Sequence, residues 1–333
     1  MKLATYVHEP GTRVTNAVPG RGGDAMPGRA TITAGDRVGV VVDDKLYDLA
    51  ACLAASEAGE TGLAYSIRAL LAAGPRGLEA AQKAADWAVA HAGPEIIFDV
   101  SSTVLRPPLP APGKLLCLAG NYAEHIQEGG GVFVGKDKMI PRFFMKPTTT
   151  VIGTHGAIRI PESTAFADWE LELAVVIGKA GRDLTPEQAQ EHIAGYTIFN
   201  DISARELTFR QDLPQQQGDY YFDWLVGKWL DTFGPMGPWF TTADEIPHWD
   251  RLAMKLWLND ELQQDASTGQ MVFSPAEAIS FISQFVTLEP GDVISTGTPA
   301  GVGHSKKLRL NPGDRIRGEI EGLGVLENTV EAL

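Results

Sequence analysis

Residues 168–178 read Asp-Trp-Glu-Leu-Glu-Leu-Ala-Val-Val-Ile-Gly. Positions 173–177 are apolar and rich in β-branched residues, the signature of a strand. Strand side chains alternate faces, so Glu170 and Glu172 point one way and Trp169, Leu171 and Leu173 the other. The two carboxylates are then about 7 Å apart at their Cα atoms. Like charges at that spacing repel unless a cation lies between them. A hard divalent cation, which prefers carboxylate oxygen, is the natural candidate. Taken alone, Glu-x-Glu is equally the solvated edge of a sheet, so the surrounding chain has to decide.

Working outward, residues 194–199 form a second strand-like run that ends in Asn200-Asp201-Ile202-Ser203-Ala204-Arg205. A carboxylate there can complete a three-carboxylate site with Glu170 and Glu172, or simply cap a turn. Arg205 can bind a substrate carboxylate through two parallel hydrogen bonds. Upstream, His125 and Glu128 share one face of a short helix. The carboxylate can orient the imidazole, which can then take a proton. The glycines 129–131 beside it suit a lid. Lys228, in Val226-Gly227-Lys228-Trp229, is either a surface lysine or a group that stabilises a developing oxyanion or enolate. Ser295-Thr-Gly-Thr-Pro-Ala-Gly-Val-Gly303 is a glycine-rich loop after a strand, offering backbone N–H groups to an anion.

Other chemistries lack their signatures. The loop does not have P-loop spacing, and no dinucleotide fingerprint or nucleophile elbow occurs. The seven histidines show no zinc spacing. With 28 basic against 42 acidic residues and a net charge of −14, the chain has no basic cluster. Nucleic acid and anionic membranes are therefore not expected partners. Cys52 and Cys117 are too few for a disulfide framework and read as buried thiols. No signal-like or membrane-length apolar run is present, so a soluble, reducing, cytoplasmic setting is expected.

The 333 residues, 44% hydrophobic, suit one large domain plus a smaller one. Short strands are expected at 3–7, 37–42 and 45–49, with Asp43-Asp44 as a hairpin turn. Residues 9–34 read as a loop, and 63–73 and 77–92 as helices. Residues 106–113, Arg-Pro-Pro-Leu-Pro-Ala-Pro-Gly, can be neither helix nor central strand. They read as a linker between a small N-terminal α+β domain, 1–105, and a main domain, 114–333. The main domain opens with a strand at 114–119. Its helices are expected at 185–191 and 274–284, opened by Thr185-Pro186 and Ser274-Pro275. Its many short strands argue for α+β. The aromatic residues of 219–229 read mostly as core.

Asn121-Tyr122…His125-x-x-Glu128, Asp168-Trp-Glu170-Leu-Glu172, Asn200-Asp201…Arg205, Gly227-Lys228 and Ser295–Gly303 stand in the order of the fumarylacetoacetate hydrolase family. The resemblance covers residues 114–330. It implies a mixed β-sandwich-like roll and a homodimer. It implies Mg²⁺, or Mn²⁺ or Ca²⁺ in its place, on Glu170, Glu172 and Asp201. His125 and Glu128 would form a catalytic dyad on a lid, with Lys228 also catalytic. Tyr122, Arg205, Lys228, Gly297 and Thr298 would contact a small keto-acid substrate.

Two departures bear on the substrate. Leu118 stands where fumarylacetoacetase has a fourth metal carboxylate, which resembles the family's three-carboxylate branch. Thr208 stands where small acylpyruvases tend to have glutamine, and Gln211 or Gln215–Gln217 are the candidates to replace it. The resemblance implies hydrolysis of a C–C bond in a 2,4-diketo acid, of the kind met in aromatic catabolism. The alternative is decarboxylation or isomerisation of an oxo-diacid, such as oxaloacetate or 2-hydroxyhepta-2,4-diene-1,7-dioate, at the same site. A non-catalytic relative that kept the fold would have a broken constellation, and none of its charged positions is lost here.

Overall fold

In the computed structural model, Leu171–Ile177 is a strand buried along its whole length. It pairs antiparallel with Ile193–Asn200 on one side and Val293–Ser295 on the other. Its side chains divide as alternation requires. Leu171, Leu173, Val175 and Ile177 enter one hydrophobic cluster, and Ala174 and Val176 enter another. A strand with core on both faces has no solvated side, which removes the reading of Glu-x-Glu as a wet sheet edge. The structure describes residues 1–7, 17–19, 25–27, 35–57, 60–210, 212–214 and 216–333.

Around that strand a mixed sheet of twelve described strands is built. From the centre it runs through Ile193–Asn200, Gly234–Thr242, Lys2–Val7, Asp36–Val42 and Lys45–Asp48 to Ile97–Asp99. On the other side come Val293–Ser295, Leu115–Ala119 and Arg142–Met145. A five-stranded sheet, which includes Ala253–Leu258, Arg315–Ile320 and Gly324–Ala332, contributes Met254, Leu256, Ile316, Ile320 and Val330 to the first cluster. Two Pro-Gly-Asp turns lead into strands Val293–Ser295 and Arg315–Ile320, with Gly291 and Gly313 at φ 85° and 96°. A positive φ of that size is open to glycine and strained for other residues. The fold is the mixed sheet-on-sheet α+β arrangement expected.

The N-terminal helices Leu49–Ser56, Ile67–Ala72 and Pro75–His91 cover the second cluster. Two differ from the sequence reading. The strand expected to reach Leu49 stops at Asp48, whose carboxylate caps the Leu49–Ser56 helix by accepting from the Ala51 amide at 2.8 Å. The single helix expected over 63–73 is divided by Ser66. Thr61–Tyr65 is a 3₁₀ turn, and extended Ser66 caps the next helix through its hydroxyl. By contrast, Pro186–Gln190 and Pro275–Ser283 begin as expected, each with a complete capping box at Thr185 and Ser274.

The 106–113 segment is packed rather than an open tether. Leu109 is 2% exposed, and the Pro108 carbonyl accepts from the Thr5 hydroxyl at 3.1 Å. Across it, Lys2–Val7 pairs with Gly234–Thr242, so the sheet is continuous from the N-terminal strands to the central ones. The loop expected at 9–34 lies largely outside the described residues, where only a short ladder, Ala17–Pro19 with Ala25–Pro27, is defined. Gln211 and Gln215 also lie outside them. Cys52 and Cys117 are buried free thiols. Among the described residues no helix is long and apolar enough to cross a membrane.

Candidate active site

Glu172 sits in the central strand, Glu170 in the short link before it, and Asp201 just past the end of Ile193–Asn200. Backbone pairing brings the three together. The Asp201 amide donates to the Glu170 carbonyl at 2.8 Å, and the Asn200 side chain accepts from the Glu170 amide at 3.0 Å. One oxygen from each carboxylate lies within 4.8 Å of the others. All three are buried, Glu172 and Asp201 fully.

Three cations stand around them. The Lys228 ammonium bridges Glu170 and Asp201 at 2.7 and 2.8 Å. Lys146 donates to the other Asp201 oxygen at 2.5 Å and to the Ile202 carbonyl at 3.1 Å. Arg205 donates to Asp168 at 2.9 Å and also to Glu170. Lys228 is therefore a buried ammonium and not the surface lysine that its local sequence also allows. Gly227 makes the approach possible, because a Cβ there would lie 2.2 Å from the Ala204 carbonyl oxygen.

Counting Asp168, four carboxylates face three cations, and Glu172 is left without one. It accepts from the Ser295 hydroxyl at 2.5 Å and the Gly297 amide at 2.8 Å, both on one oxygen. Its other oxygen is buried with no hydrogen-bond partner. Burial, and then repulsion from Asp201 and Glu170, hold its carboxyl well above the ordinary range. Glu170 behaves oppositely. Burial opposes its charge, but Lys228, Arg205 and His125 outweigh that and hold it well below the ordinary range. An orphaned buried oxygen inside an all-oxygen donor set fits a hard divalent cation. Glu170, Glu172 and Asp201 can hold one.

The dyad forms as expected. His125 and Glu128 lie on the helix Ala123–Glu128, with Nδ1 2.8 Å from the carboxylate. The other Glu128 oxygen accepts from the Gly301 amide and the Ser305 hydroxyl, each at 2.9 Å. Burial works against the Glu128 charge, but the bonds from His125, Gly301 and Ser305 prevail and lower its pKa. An acceptor at Nδ1 places the hydrogen on that nitrogen and leaves Nε2 as the basic one.

The glycine-rich loop does bind anions through its N–H groups, but they are the protein's own. Gly297 serves Glu172, Gly301 serves Glu128, and Gly303 and His304 serve Asp168 at 2.6 and 3.1 Å. The Thr298 hydroxyl donates to the Leu171 carbonyl and accepts from Gln264, both at 2.9 Å. Gly297 and Thr298 thus have these groups committed to the framework, although Thr298 also lines the chamber. Tyr122 is a core residue: it is 2% exposed and its hydroxyl donates to Met254 Sδ. Thr208 is turned away, donating to the Glu162 carbonyl.

His125, Glu170, Arg205, Lys228 and Leu118 line a chamber of about 140 Å³. Leu118 gives it an apolar wall, so no fourth carboxylate stands there. Lys146 and the cradle around Asp168 were not singled out by sequence. Lys146 ends an apolar strand run, Phe143-Phe144-Met145-Lys146, much as Asp201 ends its own, and that placement is its only local signal. The aromatics of 219–229 differ from the core reading. Tyr220, Tyr221 and Phe222 are 78%, 58% and 62% exposed, because the helix Asp219–Gly227 lies on the surface and buries only its Gly227 end.

Known proteins share this framework. Residues 114–331 match the family model described as fumarylacetoacetate (FAA) hydrolase, C-terminal. A Xenopus laevis protein named oxaloacetate tautomerase fahd2, mitochondrial, is 38% identical over 273 residues, which is 81% of this chain and 80% of that one. A solved 2-hydroxyhepta-2,4-diene-1,7-dioate isomerase from Mycobacterium marinum is 33% identical with a TM-score of 0.58, covering 71% of this chain and 81% of its own. Maleylpyruvate hydrolase from Sphingobium sp. SYK-6, solved with manganese(II) and pyruvate, is 27% identical with a TM-score of 0.69 and covers 100% of this chain and 99% of its own. Matched by that model over well over half its length and by such a relative over 81% of it, the chain belongs to the fumarylacetoacetate hydrolase family and is of an enzyme lineage.

Proposed function

We propose that this chain is a divalent-metal enzyme that moves a proton within a short 2-oxo diacid, interconverting keto and enol forms of an oxaloacetate-like substrate. The comparisons lean to this oxo-diacid reading over the diketo-acid hydrolysis that the motifs first bring to mind, since relatives named for tautomerisation and isomerisation share more of their residues. The observation that carries it is the lining of the chamber. His125, Arg205 and Lys228 stand around one space of about 140 Å³ against Glu170, a proton acceptor and two cations gathered about the 2-oxo acid end of a substrate.

Bound on Glu170, Glu172 and Asp201, Mg²⁺ or Mn²⁺ would supply Lewis-acid polarisation of the 2-oxo group. The chain's own groups do the rest. His125, oriented through Nδ1 by Glu128, takes the C3 proton on Nε2. The C–H electron pair becomes the C2=C3 double bond, and negative charge moves to the 2-oxo oxygen. Lys228 lies where it can stabilise that charge. The proton on His125 then goes to this oxygen, giving the enol, and the reverse path restores the ketone.

The test follows the ultraviolet absorbance of enolic oxaloacetate relaxing to equilibrium, with Mg²⁺ and then with EDTA, with products analysed by mass. Faster relaxation with metal, without pyruvate or CO₂, is the expected outcome, and His125→Ala should abolish it. Formation of pyruvate plus a carboxylic acid from an acylpyruvate, with no faster relaxation, would return the assignment to hydrolysis. Release of CO₂ from oxaloacetate would make the enzyme a decarboxylase.

A further inference from the structure

Three cavities meet at one side chain. Inside is the chamber of about 140 Å³. Beside it lies a polar pocket of about 560 Å³ that holds His125, His304 and Ser305 alongside Glu206 and Asp223. On the other side lies an aromatic groove of about 600 Å³, lined by Phe143, Phe144, Tyr221, Phe281 and Phe285. Trp224, on the helix Asp219–Gly227, lines all three.

Its ring is held on several sides. Phe144 meets it edge to face, with centroids 4.8 Å apart. Tyr221 stacks on it at 6.3 Å, and the Lys228 ammonium lies 5.7 Å from the ring centre. Lys228 is also 5.4 Å from the Phe144 ring. Contacts of these kinds favour one ring orientation over others. Phe144 and Trp224, which line both spaces, thus form an aromatic partition between chamber and groove, braced by the same lysine that bridges Glu170 and Asp201.

We propose that Trp224 is the specificity-determining residue of this site: with Phe144 it closes the chamber toward the aromatic groove and leaves the substrate's distal end only the polar pocket. With Ser305 and His125 engaged by Glu128, that pocket offers the Arg205 guanidinium and the His304 imidazole to a second carboxylate. The wall therefore selects short oxo-diacids and rejects 2-oxo acids whose distal group is bulky and apolar. The groove behind it is room that such a group takes once the indole is removed. The inference rests on the function proposed above for its chemistry, while the wall itself rests on geometry.

The experiment compares oxaloacetate with phenylpyruvate, a 2-oxo acid with an aryl group in place of the distal carboxylate. Both enolise at C3 and both are followed by ultraviolet absorbance. Wild type, Trp224→Phe and Trp224→Ala are assayed with Mn²⁺. Because the indole touches Lys228, absolute rates fall in both variants, and the ratio of kcat/KM values for the two substrates is the readout. Trp224→Ala should raise the phenylpyruvate-to-oxaloacetate ratio by roughly tenfold or more, within the range that opening apolar space gives. Trp224→Phe should fall between. A ratio that stays at the wild-type value overturns the proposal, as does a wild type that handles both substrates equally well.

Calorimetric binding of oxalate and phenylpyruvate to the same three proteins provides a readout independent of turnover. The affinity ratio should move in the same direction. If no form converts either substrate, the tautomerase reading falls, and an affinity ratio unmoved by Trp224→Ala then overturns the wall as well.

Discussion

Asp201 carries a lysine on each oxygen, and the two lysines differ in where they stand. Lys146 is 2% exposed, is held also by the Ile202 carbonyl, and does not line the chamber. Lys228 does line it. Removing one partner from a buried, paired charge costs roughly 3–5 kcal/mol. Lys146→Met should therefore lower the melting temperature markedly, with Mn²⁺ recovering part of the loss. Lys228→Met should lose most turnover and, in Mn²⁺, melt closer to wild type. Melting curves with and without Mn²⁺, read beside kcat, check this, and identical behaviour of the two variants would remove the division of roles.

Glu128 gives a pH prediction at the same scale. Its folded pKa is lowered, so its contribution to stability is complete above the unfolded carboxyl value, about 4.3. That contribution is lost as pH falls through the folded value. Glu128→Gln should melt below wild type at neutral pH, and the gap should close as pH drops below about 4. A gap unchanged at low pH would show that packing, not charge, is what the substitution removes.

At the scale of elements, the loop after Val293–Ser295 is where the two halves of the site are joined. Through Gly297 it holds a carboxylate of the candidate metal site, through Gly301 that of the His125–Glu128 pair, and through Gly303 the carboxylate that positions Arg205. Anion binding by this loop was legible from its glycines, but which anions was not, because they come from segments more than a hundred residues upstream. The same limit explains Lys146 and Tyr122, whose roles depend on partners brought by tertiary packing. Glu172 and the His125–Glu128 pair were legible because strand and helix periodicity sets their directions, and Glu170 and Asp201 because each stands at the end of an apolar strand run and in the family's motif order. Caps worked where the sequence carried a full box, as at Thr185 and Ser274, and failed where a single Asp48 or Ser66 turned the chain. Gly227 belongs to this scale too. With the Ala204 carbonyl 2.2 Å from the position of a Cβ, Gly227→Ala must shift the end of its helix and with it Lys228. Misplacement of a catalytic group by about 1 Å can cost about 100-fold. Gly227→Ala should therefore lose turnover far more than it loses Mn²⁺ affinity measured by electron paramagnetic resonance.

For the whole molecule, the continuity of the large sheet across residues 106–113 is the feature that composition did not announce. A proline-rich run signals the end of one regular element, but it does not say whether strands from before and after it then pair. Here Lys2–Val7 pairs with Gly234–Thr242, and the N-terminal helices share a hydrophobic cluster with Leu115, Cys117, Phe199 and Phe240. The candidate site residues lie within 114–331, while part of the core behind the central strand is contributed by residues before Pro107. A substitution far from the chamber, such as one at Leu70 or Ala84, thus bears on the packing that supports Ala174 and Val176.

The placement of Lys2–Val7 between Asp36–Val42 and Gly234–Thr242 has a consequence for synthesis. Translation delivers the first neighbour almost at once and the second only after more than two hundred further residues. In between, Val104–Arg106 arrives to cover the open edge at Thr5–Val7, while Lys2 and Leu3 keep unpaired backbone groups until Gly234–Thr242 is made. The join between the N-terminal strands and the central ones is therefore a late event, timed by the passage of residues 234–242 through the exit tunnel, and the sheet is complete only when Val293–Ser295 follows.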